Sequence, residues 1–311
     1  MSARSEWSFG EPQKLTFDEP VSALHVRIVD GTVDVVGTDG GPARLELSDI
    51  EGPPLKVTLE DGTLSVAYDD LPWKGLLSWL DRKGWHRTVH VTLAVPTDTA
   101  ASIGVVNASA VASGLGGRTE LRGVSGDATL VGLTGPVRAD TVSGRVEAQA
   151  VTGDLRFNSV SGDLTVIEGS GPVVKADSVS GDMVLDLAPA SASQRADISL
   201  TTVSGEIAIR LPHPADARVE ANTASGPVSN AFEDLRVTGQ WGAKRITGHL
   251  GSGQGRLKAT TVSGAIALLR RPPADGDGDD VSGRTDSTDR TNSTDSSDST
   301  DSTGGPQGKV L

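Results

Sequence analysis

The sequence predicts an all-β protein, a parallel β-solenoid of β-helix-like form with about 18–20 residues per coil. Three observations predict it. The phrase Val-Ser-Gly returns at Val124–Gly126, Val142–Gly144, Val160–Gly162 and Val179–Gly181, its serines 18, 18 and 19 residues apart. Each copy leads into apolar residues at spacing two, as Leu164 and Val166 after Gly162, or Ile207 and Ile209 after Gly205. Only 3% of the chain is aromatic, which suits thin coils of Val, Leu, Ile and Ala better than a deep-pocketed enzyme.

Alternation at spacing two is a half-buried strand, because successive side chains point to opposite faces. Weaker copies stand halfway between the main ones, at Leu133-Thr134-Gly135, Val151-Thr152-Gly153 and Ser170-Gly171. Nine residues therefore make one strand and one corner, and two such units make a coil. Coils so stacked lie about 4.8 Å apart, joined by backbone hydrogen bonds. The structural corners are Ser125 and Gly126, Ser143 and Gly144, Ser161 and Gly162, Ser180 and Gly181, Ser204 and Gly205, and Ser263 and Gly264. Glycine is expected there for the backbone freedom of a sharp turn, and each serine hydroxyl to satisfy its own corner. A further copy, Ala224-Ser225-Gly226, follows a wider gap.

Taken in order, residues 1–96 read as an N-terminal β region. Asp30-Gly31-Thr32 and Asp61-Gly62-Thr63 each precede alternating apolar residues, a turn-then-strand signal. Within it, residues 71–87 break the pattern and hold three of the five tryptophans. Trp73, Leu76, Leu77 and Leu80 fall at helical spacing, with Trp79, Arg82, Lys83 and Trp85 beside them. This segment is the candidate cap of the solenoid end, or else a surface for interaction. Val89, Val91, Leu93 and Val95 restore a strand. Residues 97–271 form the repeat solenoid, with longer corners or extra strands at 188–196, 211–217 and 232–250. Residues 272–311 form an acidic tail rich in Ser, Thr and Asp, too poor in apolar residues to fold.

The net charge is −13, of which nine Asp against two Arg and one Lys place −6 in the tail and −7 in the body. An acidic body argues against nucleic acid, whose phosphates call for Lys and Arg. There is no cysteine, hence no disulfide or thiolate chemistry. No stretch reaches the ~20 apolar residues of a membrane span and no signal-peptide core follows Met1, so a cytoplasmic protein is expected. Calcium needs six to eight oxygens, whereas each corner offers at most one carboxylate, such as Asp163 or Asp182. His86 and His90, four apart on a strand, stand about 13 Å from each other, too far to share a metal. No nucleophile–base set stands out, so no catalytic residue, metal or cofactor is expected, and no small-molecule substrate.

The tandem phrases Val160–Asp163 and Val179–Asp182 resemble a bacterial β-strand-repeat family of unknown function, catalogued as adhesin-like. The resemblance covers about residues 20–270 and implies a parallel β-solenoid. Members of that family are often membrane-anchored or sit beside envelope-stress and transcription-regulator systems. No family binding residue carries over. The expected function is a non-enzymatic scaffold or protein-binding module with an unidentified protein partner. The alternative is a peripheral envelope-associated protein touching anionic membrane through residues 73–87.

Overall fold

The structure is a computed structural model of the 311-residue chain and describes residues 4–68, 87–189 and 195–272. The cap segment, Arg87 excepted, and the tail from residue 273 lie outside the described residues.

All described regular structure is β. Eight strands come first: β1 (Arg4–Phe9), β2 (Gln13–Phe17), β3 (Ala23–Thr38), β4 (Ala43–Glu51), β5 (Leu55–Glu60), β6 (Thr63–Ala67), β7 (Thr88–Pro96) and β8 (Ala100–Ser113). The repeats then give β9 (Thr119–Ser125), β10 (Ala128–Val131), β11 (Val137–Thr141), β12 (Arg145–Gln149), β13 (Leu155–Ser159) and β14 (Asp163–Gly169). They continue with β15 (Val173–Asp177), β16 (Met183–Leu187), β17 (Asp197–Thr201) and β18 (Ile207–Leu211). Last come β19 (Ala217–Thr223), β20 (Val228–Asn230), β21 (Leu235–Gln240), β22 (Ala243–Leu250), β23 (Gly255–Thr261) and β24 (Ile266–Arg270).

Each repeat places its first strand on one face of a flattened coil and its second on the other. On the first face β9, β11, β13, β15 and β17 pair in parallel; on the second β10, β12, β14, β16 and β18 do so. The register repeats the sequence period: Ala128 faces Val146, Val146 faces Leu164, and Leu164 faces Met183. The long strands β3 and β8 run through both faces, pairing with each other along their lengths. Strands β1, β2, β4 and β5 add antiparallel pairings at the N-terminal end. The first segment thus both starts the solenoid and packs as extra sheet upon it.

Between the faces lies an apolar core, mostly of Leu, Val, Ile and Ala. Each fully buried Leu or Val contributes about 1.5–3 kcal/mol. In one column of the core large and small side chains alternate between coils, with buried Phe157 facing Ala139 on one side and Ala176 on the other.

The last coils stack out of chain order. β23 pairs with β17 on one side and β19 on the other, and β24 likewise lies between β18 and β20. The final coil therefore slots between two earlier ones. The detour is made by the hairpin β21–β22, which lies antiparallel on the outer side of β19. Asp216 fixes the crossing from β22 to β23. Its carboxylate accepts Ser252 Oγ at 2.7 Å and Gln254 N at 2.9 Å, and these bonds, that to Ser252 first, hold it below the usual carboxylate range.

Candidate functional site: the Val-Ser-Gly edge

The Val-Ser-Gly corners stack into one edge of the solenoid. Each serine donates its hydroxyl to the phrase's valine carbonyl one coil back: Ser143 to Val124, Ser161 to Val142 (both 3.2 Å), Ser180 to Val160 (3.3 Å) and Ser263 to Val203 (3.4 Å). The expected bond within the corner is not the one formed. That local bond belongs to a residue the period had not flagged, the hydroxyl amino acid immediately before the valine. Ser159, Ser178, Thr202, Thr223 and Thr261 accept the N–H of the corner glycine three residues on. From Ser159 onward the operative phrase is thus four residues long, Ser/Thr-Val-Ser-Gly, with Ala in place of Val at position 224.

The glycines also differ from the expectation. In the first two copies, Gly126 and Gly144 do take positive φ, +102° and +97°. From Gly162 onward no left-handed backbone is involved, and close approach excludes a side chain instead. A Cβ on Gly181, Gly205 or Gly264 would run into the carbonyl oxygen of the corner glycine of the coil below. The row reaches further back than the phrase does. Asp30-Gly31 in β3 and Asn107-Ala108 in β8 occupy the same register, and Asn107 links Asp30 (2.6 Å) to Ser125 (3.1 Å).

Valine is the residue this geometry turns outward. Val160, Val179, Val203 and Val262 each keep about half their surface exposed (47–52%), in line with half-buried Val124 and Val142 and exposed Ala224. At strand spacing the row is roughly 30 Å long. Its far end meets the tip of the β21–β22 hairpin, where a Cβ on Gly242 would lie 3.8 Å from the Ala224 carbonyl. The tip residue Trp241 is fully exposed and holds a φ of 53°, with Gly242 at 90°. Two successive positive φ values make the tight hairpin turn that normally selects Asn-Gly. A bulky residue there is strained. Arg236, Lys244 and Arg245 make the exposed hairpin basic, and Arg245 bonds back to Asn222.

The other sequence candidates, Trp73, Leu76, Leu77, Trp79, Leu80, Arg82, Lys83 and Trp85, lie outside the described residues. Their flanks are described: Asp30 N donates to Arg87 O, and the Arg87 guanidinium stacks on the Tyr68 ring at 5.2 Å. The described flanks, Tyr68 and Arg87, therefore meet beside the Asp30 corner. Among the described residues no group of three His, Asp or Glu could hold a metal ion, and no helix is long and apolar enough to cross a membrane.

The chain belongs to the Toastrack DUF4097 family, whose model matches residues 54–269. That is a family of β-rich domains of unknown function, in keeping with the adhesin-like resemblance of the repeats. No curated protein matches the chain. Among solved structures it is similar to a candidate adhesin from Bacteroides fragilis, at 13% identity and a TM-score of 0.41 over 86% of this chain and 97% of that one. A candidate lipid binding protein from Parabacteroides distasonis gives 9% and 0.36 over 85% and 98%. A candidate cell adhesion protein from Clostridium sporogenes gives 9% and 0.27 over 84% and 100%.

Proposed function

We propose that this protein is a non-enzymatic binding module that offers its Val-Ser-Gly edge to a protein partner. The observation that carries the reading is the row of outward valines. Exposed apolar residues in contiguous array mark interaction surfaces, whereas single ones need no explanation. The valines add little to the core, and the serines beside them already spend their hydroxyl protons on the coil below. The strained Trp241 at the end of the row supplies an aromatic anchor of the kind that dominates interface energetics, and the basic hairpin around it favours an acidic rim on the partner.

A photo-cross-linking amino acid at Val179 tests this in the native cell. A discrete adduct of one mass is expected from Val179 and none from Thr165 on the flat second face. Equal yields at both positions, or no adduct at either, would sink the reading.

A second reading, contact with anionic membrane through residues 73–87, is favoured by the position of the described flank Arg87, which bonds Asp30 at the same edge. Co-sedimentation with neutral and anionic vesicles separates the two. Salt-sensitive pelleting with anionic vesicles only, lost in a folded Trp79→Ser/Leu80→Ser protein, would move the function to the lipid surface.

A further inference from the structure

The edge opposite the Val-Ser-Gly row is regular only as far as Gly171. Beyond it the connections from β16 to β17 and from β18 to β19 lengthen, and the turn from β22 to β23 crosses nearby. A cleft of about 450 Å³ is lined by described residues of all three. Leu187 and Leu211 reach it from the second face and Ile198 and Leu257 from the first, all four buried core residues. The cleft is thus an opening into the space between the two sheets, with an apolar floor. Its volume falls within the range of small-molecule sites, about 300–1,000 Å³.

The rim is charged. Arg195 and Arg256 both line the cleft and both are exposed, and neither guanidinium has an ion-pair or hydrogen-bond partner among the described residues. Two other arginines at this end are engaged, Arg210 by Asp186 and Arg271 by Glu168, Asp186 and the Leu187 carbonyl, while Arg218, beside Arg256 in the strand register, is exposed like it. Among the described residues lining the cleft the one carboxylate, Asp216, is occupied by Ser252 and Gln254, and Asp197 stands beside Arg256 in the strand register.

We infer that this cleft binds a single-chain anionic amphiphile, its aliphatic tail between the sheets and its carboxylate or phosphate head on Arg195 and Arg256. The four floor side chains are all apolar, so a hydrophilic ligand would leave its own groups unsatisfied against them. Two guanidiniums at the mouth match an oxyanion head, whose hydrogen bonds are charge-assisted. The inference is independent of the partner edge, which lies across the solenoid.

Calorimetry with the full chain tests it, using dodecanoate, a dodecanoyl lysophosphatidate and neutral dodecyl maltoside, each below its micellar concentration. Saturable one-to-one binding is expected for either or both anionic probes, and their ratio distinguishes a carboxylate from a phosphate head. Arg195→Gln/Arg256→Gln is expected to weaken binding by roughly tenfold or more. Ala188→Trp, which fills the cleft from a partly exposed position, is expected to abolish binding with the melting temperature unchanged. No saturable binding of either anion overturns the inference. So does equal affinity for dodecyl maltoside, or affinity that survives both variants.

Discussion

Two corners that read almost alike in sequence do opposite things in the structure. On one edge, Ser/Thr-Val-Ser-Gly turns its apolar residue to solvent, as at Val160 and Val179. On the other, Leu133-Thr134-Gly135 and Val151-Thr152-Gly153 bury theirs completely, with Leu115 in the same place one coil earlier. The cause is one backbone position. Gly114, Gly132 and Ala150 precede the buried residues at a period of 18, and all three are left-handed, at φ 65°, 61° and 51°. That twist swings the next side chain inward. The Val-Ser-Gly edge lacks it before its valine and takes a hydroxyl-to-glycine bond instead. One edge is therefore an outward apolar row, while the other hides its apolar residues and, where its corners lengthen, opens into a cleft.

The largest expected effect breaks the stacking of the first edge. Gly181→Ala should cost about 3 kcal/mol or more in urea denaturation, since the added methyl meets backbone that cannot yield. Gly40→Ala, which meets nothing within 4 Å, should stay within about 0.5 kcal/mol.

Next comes the strap at the open end of the second edge. Asp186 is bound by both Nε (2.8 Å) and Nη2 of Arg210, bonds that hold its carboxyl below the ordinary 3.8 while burial opposes them. A folded-state value below the unfolded one stabilises above that pH, and the gain disappears as pH falls through the folded value. Asp186→Asn should therefore lower stability by about 2 kcal/mol at neutral pH. Thermal melts of the two proteins should begin to draw together below about pH 4 and converge below the folded value; a gap that persists to strong acid would contradict the assignment.

At a single corner, Thr202 and Ser204 separate the local bond from the one between coils. Thr202→Val leaves the Gly205 N–H without its acceptor in a buried site and should cost about 1–2 kcal/mol. Ser204→Ala removes an exposed bond to Val179 O and should cost about 0.5 kcal/mol. Equal losses would mean that the four-residue phrase is misassigned.

Two substitutions should stabilise. Ala150→Gly relieves a left-handed alanine and should add about 1 kcal/mol, against the usual direction for Ala to Gly. Trp241→Asn supplies the preferred hairpin turn and should add a few tenths of a kcal/mol while lowering the cross-link yield from Val179. A tryptophan kept only for the hairpin's own stability would show the reverse on both counts.

Much of this was legible in the residues. The 18-residue period of the first copies reappears in the strand register from β9 to β14, and the alternation after each glycine marks the buried side chains. What stayed hidden is set by backbone twist and chain path. The outward turn of the valines depends on φ at a preceding residue, and Ala150 does not advertise a left-handed conformation as Gly132 does. The early corners Asp30-Gly31 and Asn107-Ala108 share a register rather than a phrase with Ser125-Gly126. A period along the sequence assigns each coil a place in the chain, so it carries no signal that the Val262 coil inserts ahead of the Ala224 coil. The cleft arises from three irregular connections far apart in sequence, and nothing in the repeat pattern singles out Trp241.

The central claim is that the valine row serves binding and not folding. The direct measurement is the triple variant Val160→Ser/Val179→Ser/Val203→Ser carrying the photo-cross-linker at Val262, followed for both melting temperature and adduct. We expect a melting temperature within a few degrees of the parent and loss of most of the adduct. An adduct formed at the parent's yield, or a large fall in melting temperature, would show that the row is a by-product of the coil.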